Sequence, residues 1–310
     1  MPTKAVAFSP SGISSFFEIC DRTSDGKPIT DLERVGARGG GFGIEKGVST
    51  EVSVTEAKKN DVRVFINRRF SPEAETTKTV AEALLKRVEE KYTVVVKHSV
   101  SVPVGAGFGT SAGGALGTGF ALCKVLGIDL TYGQIGRIAH VAEIKCKTGL
   151  GTVGPLLLSG CILTVEPGGP GYAVIERLPI SEDYRIVAGV FNPLLTREVL
   201  SSAEKRKIVN KWGRKTVDSI LAEPCIENFM RASKEFAIKT GFATERVKRL
   251  VENAEKAGAV GAAQNMVGEA VHTLVLEDKV DDVVEVFKKV LPKEKVLVAR
   301  IDFRGAHLVR

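Results

Sequence analysis

The stretch VPVGAGFGTSAGGALGTGFAL, residues 102–122, decides how the rest of the chain is read. Before it, TVVVKHSVSV (residues 93–102) reads as a strand stopped by Pro103, and after it an apolar helix is expected over residues 112–126. Gly105, Gly107 and Gly109 lie between them, and glycine costs roughly 0.5–1 kcal/mol against alanine inside regular structure. One explanation is a phosphate cradle. A helix start leaves four N–H groups unpaired and carries positive partial charge, and a glycine loop lets such donors close around an anion. Thr110 and Ser111 stand where a hydroxyl caps the helix and ligates magnesium. A second explanation is a dinucleotide fold, because Gly107 to Ala112 fits G-x-G-x-x-A. That motif wants a strand ending in an acid about 20 residues on, and Asp129, at that spacing, follows helix and loop instead. No G-K-[S/T] closes the stretch, which excludes a Walker A loop. A third explanation, close packing of a helix on a sheet, suits Gly113, Gly114, Gly117 and Gly119 but not the first three glycines.

Working outward, strands are expected over residues 4–8, 48–54 and 61–66. Residues 76–90 form an amphipathic helix with Val80, Leu84, Leu85 and Val88 on one face, and residues 132–145 form another. ILTVEPGGPGYAVIERLP (residues 162–179) reads as a hairpin around its PGGPG turn. The character then changes: a strand at RIVAGVF (residues 185–191), a charged, mostly helical stretch over 197–257, a helix over 280–290 and a strand over 295–303. The expectation is an α+β protein in two domains, residues 1–180 and 181–310.

Composition sets the class. A chain of 310 residues, 44% hydrophobic and 26% charged, has the makings of a full core and no sign of disorder. Its longest apolar run, residues 153–165, falls short of the ~20 residues a bilayer span needs. The start, MPTKAVAFSPSG, has no signal-peptide core. No membrane partner and a cytoplasmic location are therefore expected. The five cysteines are scattered without C-x-x-C spacing, so neither a disulfide framework nor a zinc site is expected. The net charge of +7 owes much to EKRKIVNKWGRKT, residues 204–216. No nucleic-acid-binding signature accompanies this segment. It reads as a solvated helix face whose field steers anionic small molecules, with no nucleic acid as partner.

PVGAGFGTSAG resembles the second signature of the GHMP kinase superfamily, P-x-x-x-G-L-G-S-S-A. Pro103, Gly107, Gly109, Ser111 and Ala112 match it, with Phe108 and Thr110 substituting. The resemblance extends toward the archaeal pantoate kinases through AFSPSGISSFFEI, GARGGGFGIEKGVSTEV, HVAEIKCKTGLGTVGPLLLSG, EPGGPG and GAVGAAQNMVGEAV, in that order along the chain. It implies a two-domain GHMP kinase fold that binds ATP in the cleft between domains and passes its γ-phosphoryl group to a small alcohol. Gly105, Ala106, Gly107, Phe108, Gly109, Thr110, Ser111 and Ala112 would hold the phosphates, and Ser111 and Glu143 would ligate Mg2+. The implied alcohol is pantoate, phosphorylated to 4-phosphopantoate for archaeal coenzyme A biosynthesis. Arg38, in what reads as a loop of small residues, is expected to meet the pantoate carboxylate, with Ser14 and Ser15 at its hydroxyls. His140 is expected to pack. Lys145 and Lys147 flank the TGLG turn, near phosphate or on the surface. A homodimer is implied by habit of the family.

Three positions depart from the family pattern. The aspartate that usually serves as catalytic base is Thr152 here, a familiar arginine of the following strand is absent, with Thr164 near its place, and Gly12 replaces a histidine. A threonine hydroxyl cannot accept a proton at neutral pH as a carboxylate can. Transfer without a dedicated base, another residue in that role, or nucleotide binding without turnover all follow. A GHMP kinase for another small alcohol, of homoserine or mevalonate type, stays open beside them.

Overall fold

Five of the eight strands of one large sheet come from the amino-terminal third of the chain; the computed structural model describes residues 3–193 and 203–309. β1 (Lys4–Cys20) and β2 (Gly36–Glu56) run antiparallel along nearly their whole lengths. The second half of β2 pairs with β5 (Tyr92–Val100), which lies parallel to β3 (Asp61–Ile66). The β3–β5 crossover is made by β4 (Arg69–Phe70) and α1 (Glu75–Leu85). The first half of β2 pairs instead with β6 (Cys161–Glu166), and β6 with β7 (Val174–Leu178), the expected hairpin. β12 (His307–Val309) joins β1 and completes eight strands.

Val48, Thr50 and Val52 point inward and are covered by α2 (Thr110–Leu126), beside α1 and α3 (Tyr132–Cys146). The approach of α2 depends on its small residues: a Cβ on Gly117 would overlap Thr50, and one on Gly113 would stand 3.2 Å from Val48 Cγ2. Gly119 faces Ile135 of α3 rather than the sheet. His98 lies under Gly114, bonded to Thr50 at 2.9 Å and Thr77 at 3.0 Å, and burial lowers its pKa to about 4, so it is neutral.

The chain leaves this sheet after Leu178 and enters a second, β11–β8–β10–β9, at Tyr184. Its strands are β8 (Tyr184–Pro193), β9 (Gly261–Gln264), β10 (Gly268–Leu276) and β11 (Val296–Arg300). One face packs on α7 (Glu245–Lys256) and α8 (Val280–Lys288). Toward the first sheet lie α5 (Ala203–Ala222) and α6 (Ile226–Lys239), and here the cores merge: Phe42 and Phe229 rings meet at 5.2 Å, Phe16 and Phe229 at 5.7 Å. A cut at residue 180 would leave β12 on the wrong side of the boundary from its own sheet. The helical stretch expected from Arg197 begins outside the described residues and resolves from Ala203 into α5, α6 and α7.

Two sequence expectations need correcting. β1 and β2 have 17 and 21 residues, because GARGGGF is strand rather than loop. Its glycines admit other backbone, since a Cβ on Gly41 would overlap the Ile13 carbonyl. The helix expected to residue 90 stops at Leu85, and Val88 packs against the same core from beyond the helix end.

Candidate active site

Residues 103–109 leave β5 and return as α2 through three left-handed glycines, Gly105, Gly107 and Gly109 at φ 76°, 80° and 62°. The loop is anchored from below. Ala106 and Phe108 are buried in the core shared by the two sheets, so their side chains hold the loop and only their backbone is left to face a ligand. A Cβ on Gly107 would stand 3.1 Å from the Met266 carbonyl, which places the turn between β9 and β10 directly against the loop. Gly109 is the N-cap of α2 and offers no side chain. Capping by Thr110 or Ser111, the expected arrangement, is absent: helix α2 begins at Thr110 with no side-chain cap. Its first-turn amides are left for an incoming acceptor, beside a positive helix end.

Ser111 is turned instead toward α3, donating to Glu143 Oε1 at 2.6 Å. Glu143 is buried, and the same oxygen accepts from Thr148 at 2.6 Å. Desolvation raises the Glu143 pKa, partly offset by the two hydroxyl bonds. No basic side chain among the described residues pairs with it. A buried carboxylate with hydroxyl neighbours and no cationic partner is a hard-oxygen donor set suited to magnesium. Among the described residues no group of three His, Cys, Asp or Glu converges, so further ligands would come from water and phosphate. His140, one turn earlier, packs as expected, its Nε2 at 2.8 Å from the Val35 carbonyl. Lys145 and Lys147 are exposed.

Thr152 and Gly12, noted above as separate departures, are neighbours. A Cβ on Gly12 would stand 3.6 Å from Thr152 Cγ2, and one on Gly109 only 2.8 Å from the same methyl. Thr152 precedes α4 (Val153–Leu158) without capping it. The Gly12 amide donates to the Phe108 carbonyl at 3.1 Å, tying β1 to the glycine loop. Ser111, Glu143, Thr152, Gly12 and the loop thus share one corner. The structure adds Thr148, which the TGLG turn contained, and Asn265 and Met266, which lie in the GAVGAAQNMVGEAV stretch but had no role attached to them in the sequence.

The expected substrate residues fare differently. Ser15 is wholly buried, its hydroxyl bonded to His272 Nε2 at 2.9 Å, while His272 Nδ1 meets Asn265 Oδ1 at 2.9 Å. Burial lowers the His272 pKa to about 3, so this chain of bonds is neutral and Ser15 is unavailable to a substrate. Arg38 sits in β2 and is engaged by Glu18 at 3.0 Å, the Val165 carbonyl at 2.7 Å and Asp218 at 3.6 Å. Arg214 holds the other Glu18 oxygen at 2.8 Å. Arg38 therefore neutralises a buried carboxylate of the protein itself. Ser14 is partly exposed, and its carbonyl accepts from the Met266 amide at 2.7 Å.

Residues 75–160, from the start of α1 to the residue before β6, match the family described as GHMP kinases N terminal domain. Pantoate kinase from Methanocaldococcus jannaschii is 27% identical over 281 residues, covering 91% of this chain and 96% of that protein. Pantoate kinase from Thermococcus kodakarensis is 32% identical over 280 residues, covering 89% of each. A solved structure described as a phosphotransferase related to the CoA biosynthesis pathway superposes with TM-score 0.88 at 28% identity, covering 99% of each chain. A homoserine kinase from Cytophaga hutchinsonii, 14% identical and covering 100% of this chain and 98% of its own, superposes with TM-score 0.72 and shares the fold.

Proposed function

We propose that this chain, which belongs to the GHMP kinase family, transfers the γ-phosphoryl group of ATP to the primary hydroxyl of pantoate, giving 4-phosphopantoate. The observation that carries the kinase reading is the 2.6 Å bond from Ser111 to the buried Glu143 at the start of the helix that follows the glycine loop. The choice of pantoate is supported by full-length similarity to two pantoate kinases.

Phosphoryl transfer asks a protein mainly for positioning and charge neutralisation. The amides of residues 105–112 would receive the polyphosphate. Glu143 and Ser111 would hold magnesium, which supplies positive charge against the phosphate oxygens. Thr152 lies against the loop and has no carboxylate to take the substrate proton. A loose transition state makes little early demand for a base, so the alcohol can lose its proton late. Ser14 is retained as a contact to pantoate; Arg38 and Ser15 are not. A cytoplasmic homodimer is part of the same proposal, and no helix among the described residues is long and apolar enough to cross a membrane.

The test is ADP release by purified protein with ATP and magnesium across pantoate, homoserine and mevalonate. Pantoate should be turned over in preference. Preference for another alcohol overturns the substrate, and ATP binding without turnover on any of them favours the non-catalytic reading that Thr152 motivates. Thr152→Asp belongs in the same assay: raised turnover would show that a carboxylate at this corner still serves as base.

A further inference from the structure

The turn after α3 does more than connect it to α4. Thr148 donates to Glu143 Oε1 at 2.6 Å and bonds Thr76 of α1 at 2.9 Å, while Ser111 reaches the same Oε1 at 2.6 Å. A hydroxyl has one proton to give. Thr148 spends its proton on Glu143, so Thr76 is the donor to Thr148, and a line of hydroxyls runs from α1 through the turn to the carboxylate. Oε1 then accepts two hydrogen bonds, while Oε2 has none among the described residues. Gly149 lies against Oε2 so closely that a Cβ there would overlap it. Thr148 and Gly149 thus hold the two oxygens of one buried carboxylate in different states, one accepting two hydrogen bonds and one accepting none among the described residues.

We propose that Thr148 is a positioning residue for the cation site: backed by Thr76, it fixes the Glu143 carboxylate so that Oε2 is presented to a divalent cation. The inference rests on the kinase reading above. Without Thr148 the carboxylate keeps Ser111 alone, which is also a candidate ligand, and nothing then sets its rotation when Ser111 turns to the metal.

The test uses Mn2+ as the probe, with binding to the full chain followed by electron paramagnetic resonance beside a non-hydrolysable ATP analogue. Thr148→Val keeps the shape and removes the hydroxyl; it should weaken Mn2+ binding about tenfold, an outcome a packing role would not give. Thr148→Ser should restore binding to within about twofold, and Thr76→Val should weaken it by a smaller factor, since it acts one bond further away. Thermal unfolding of each variant without cation should stay close to that of the parent. Thr148→Val that binds Mn2+ like the parent overturns the proposal and leaves the kinase reading intact. A parent protein that binds neither Mn2+ nor the nucleotide analogue overturns both.

Discussion

Replacing Gly109 by alanine tests whether Thr152 is a packing element of the glycine loop. Gly109 sits at φ 62°, where an L-residue costs about 1–2 kcal/mol. The new methyl would also stand 2.8 Å from Thr152 Cγ2, while its next neighbours, the Gly12 carbonyl oxygen and amide nitrogen, lie at 3.4 and 3.6 Å. Only the threonine methyl is a hard contact, and overpacking of that kind costs about 1–2 kcal/mol in a site this confined. Gly109→Ala should therefore lose about 2–4 kcal/mol in urea unfolding. Thr152→Ser removes Cγ2 and keeps the hydroxyl. In the double variant the steric part should return, a coupling of about 1–2 kcal/mol, and the backbone part should remain. Affinity for an ATP analogue should fall in Gly109→Ala and recover in part in the double variant. Additive losses would refute the reasoning, because they would mean that the methyl does not bear on the loop.

Glu143→Gln keeps an oxygen for Ser111 and Thr148 and removes the charge. Turnover should fall by roughly 10²–10³, with ATP-analogue affinity little changed and thermal stability without cation no lower, since the buried charge is gone; turnover within tenfold of the parent would contradict the assignment. Arg38→Ala leaves Glu18 buried with Arg214 alone and should cost about 2 kcal/mol in urea unfolding, below the 3–5 kcal/mol of a fully orphaned ion. A raised KM for pantoate with stability untouched would instead restore Arg38 to the substrate. His98 and His272 have pKa values lowered to about 4 and about 3, against 6.5 for the free group. The unfolded chain then binds more protons below pH 6.5, so stability falls as the solution is acidified from there toward pH 4, by about 1.4 kcal/mol per pH unit for each histidine. Glu143, with its raised pKa, opposes the trend, and urea midpoints at pH 7.5 and 5.5 measure the balance.

What could be read from the sequence follows from how far apart the interacting residues lie. The glycine loop, Ser111 and Glu143 occupy 39 consecutive positions, residues 105–143, and each carries chemistry that its neighbours announce. Arg38 was misplaced because glycines in GARGGGF suggest a flexible loop, whereas here they let strands approach one another and Phe229 of α6. Ser15 was misplaced because its partner, His272, lies 257 residues away on β10, with no pattern to join them. The deepest case is Gly12 and Thr152. Along the chain they are two unrelated departures from a family pattern, a missing histidine and a missing aspartate, and they leave transfer without a dedicated base, another residue in that role and binding without turnover all open. In the fold they are neighbours: a Cβ on Gly12 would stand 3.1 Å from Leu156 Cδ2 and 3.6 Å from the Thr152 methyl, and the same methyl lies against Gly109 of the glycine loop. The two departures therefore change the chemistry of one corner beside the glycine loop rather than of two separate places.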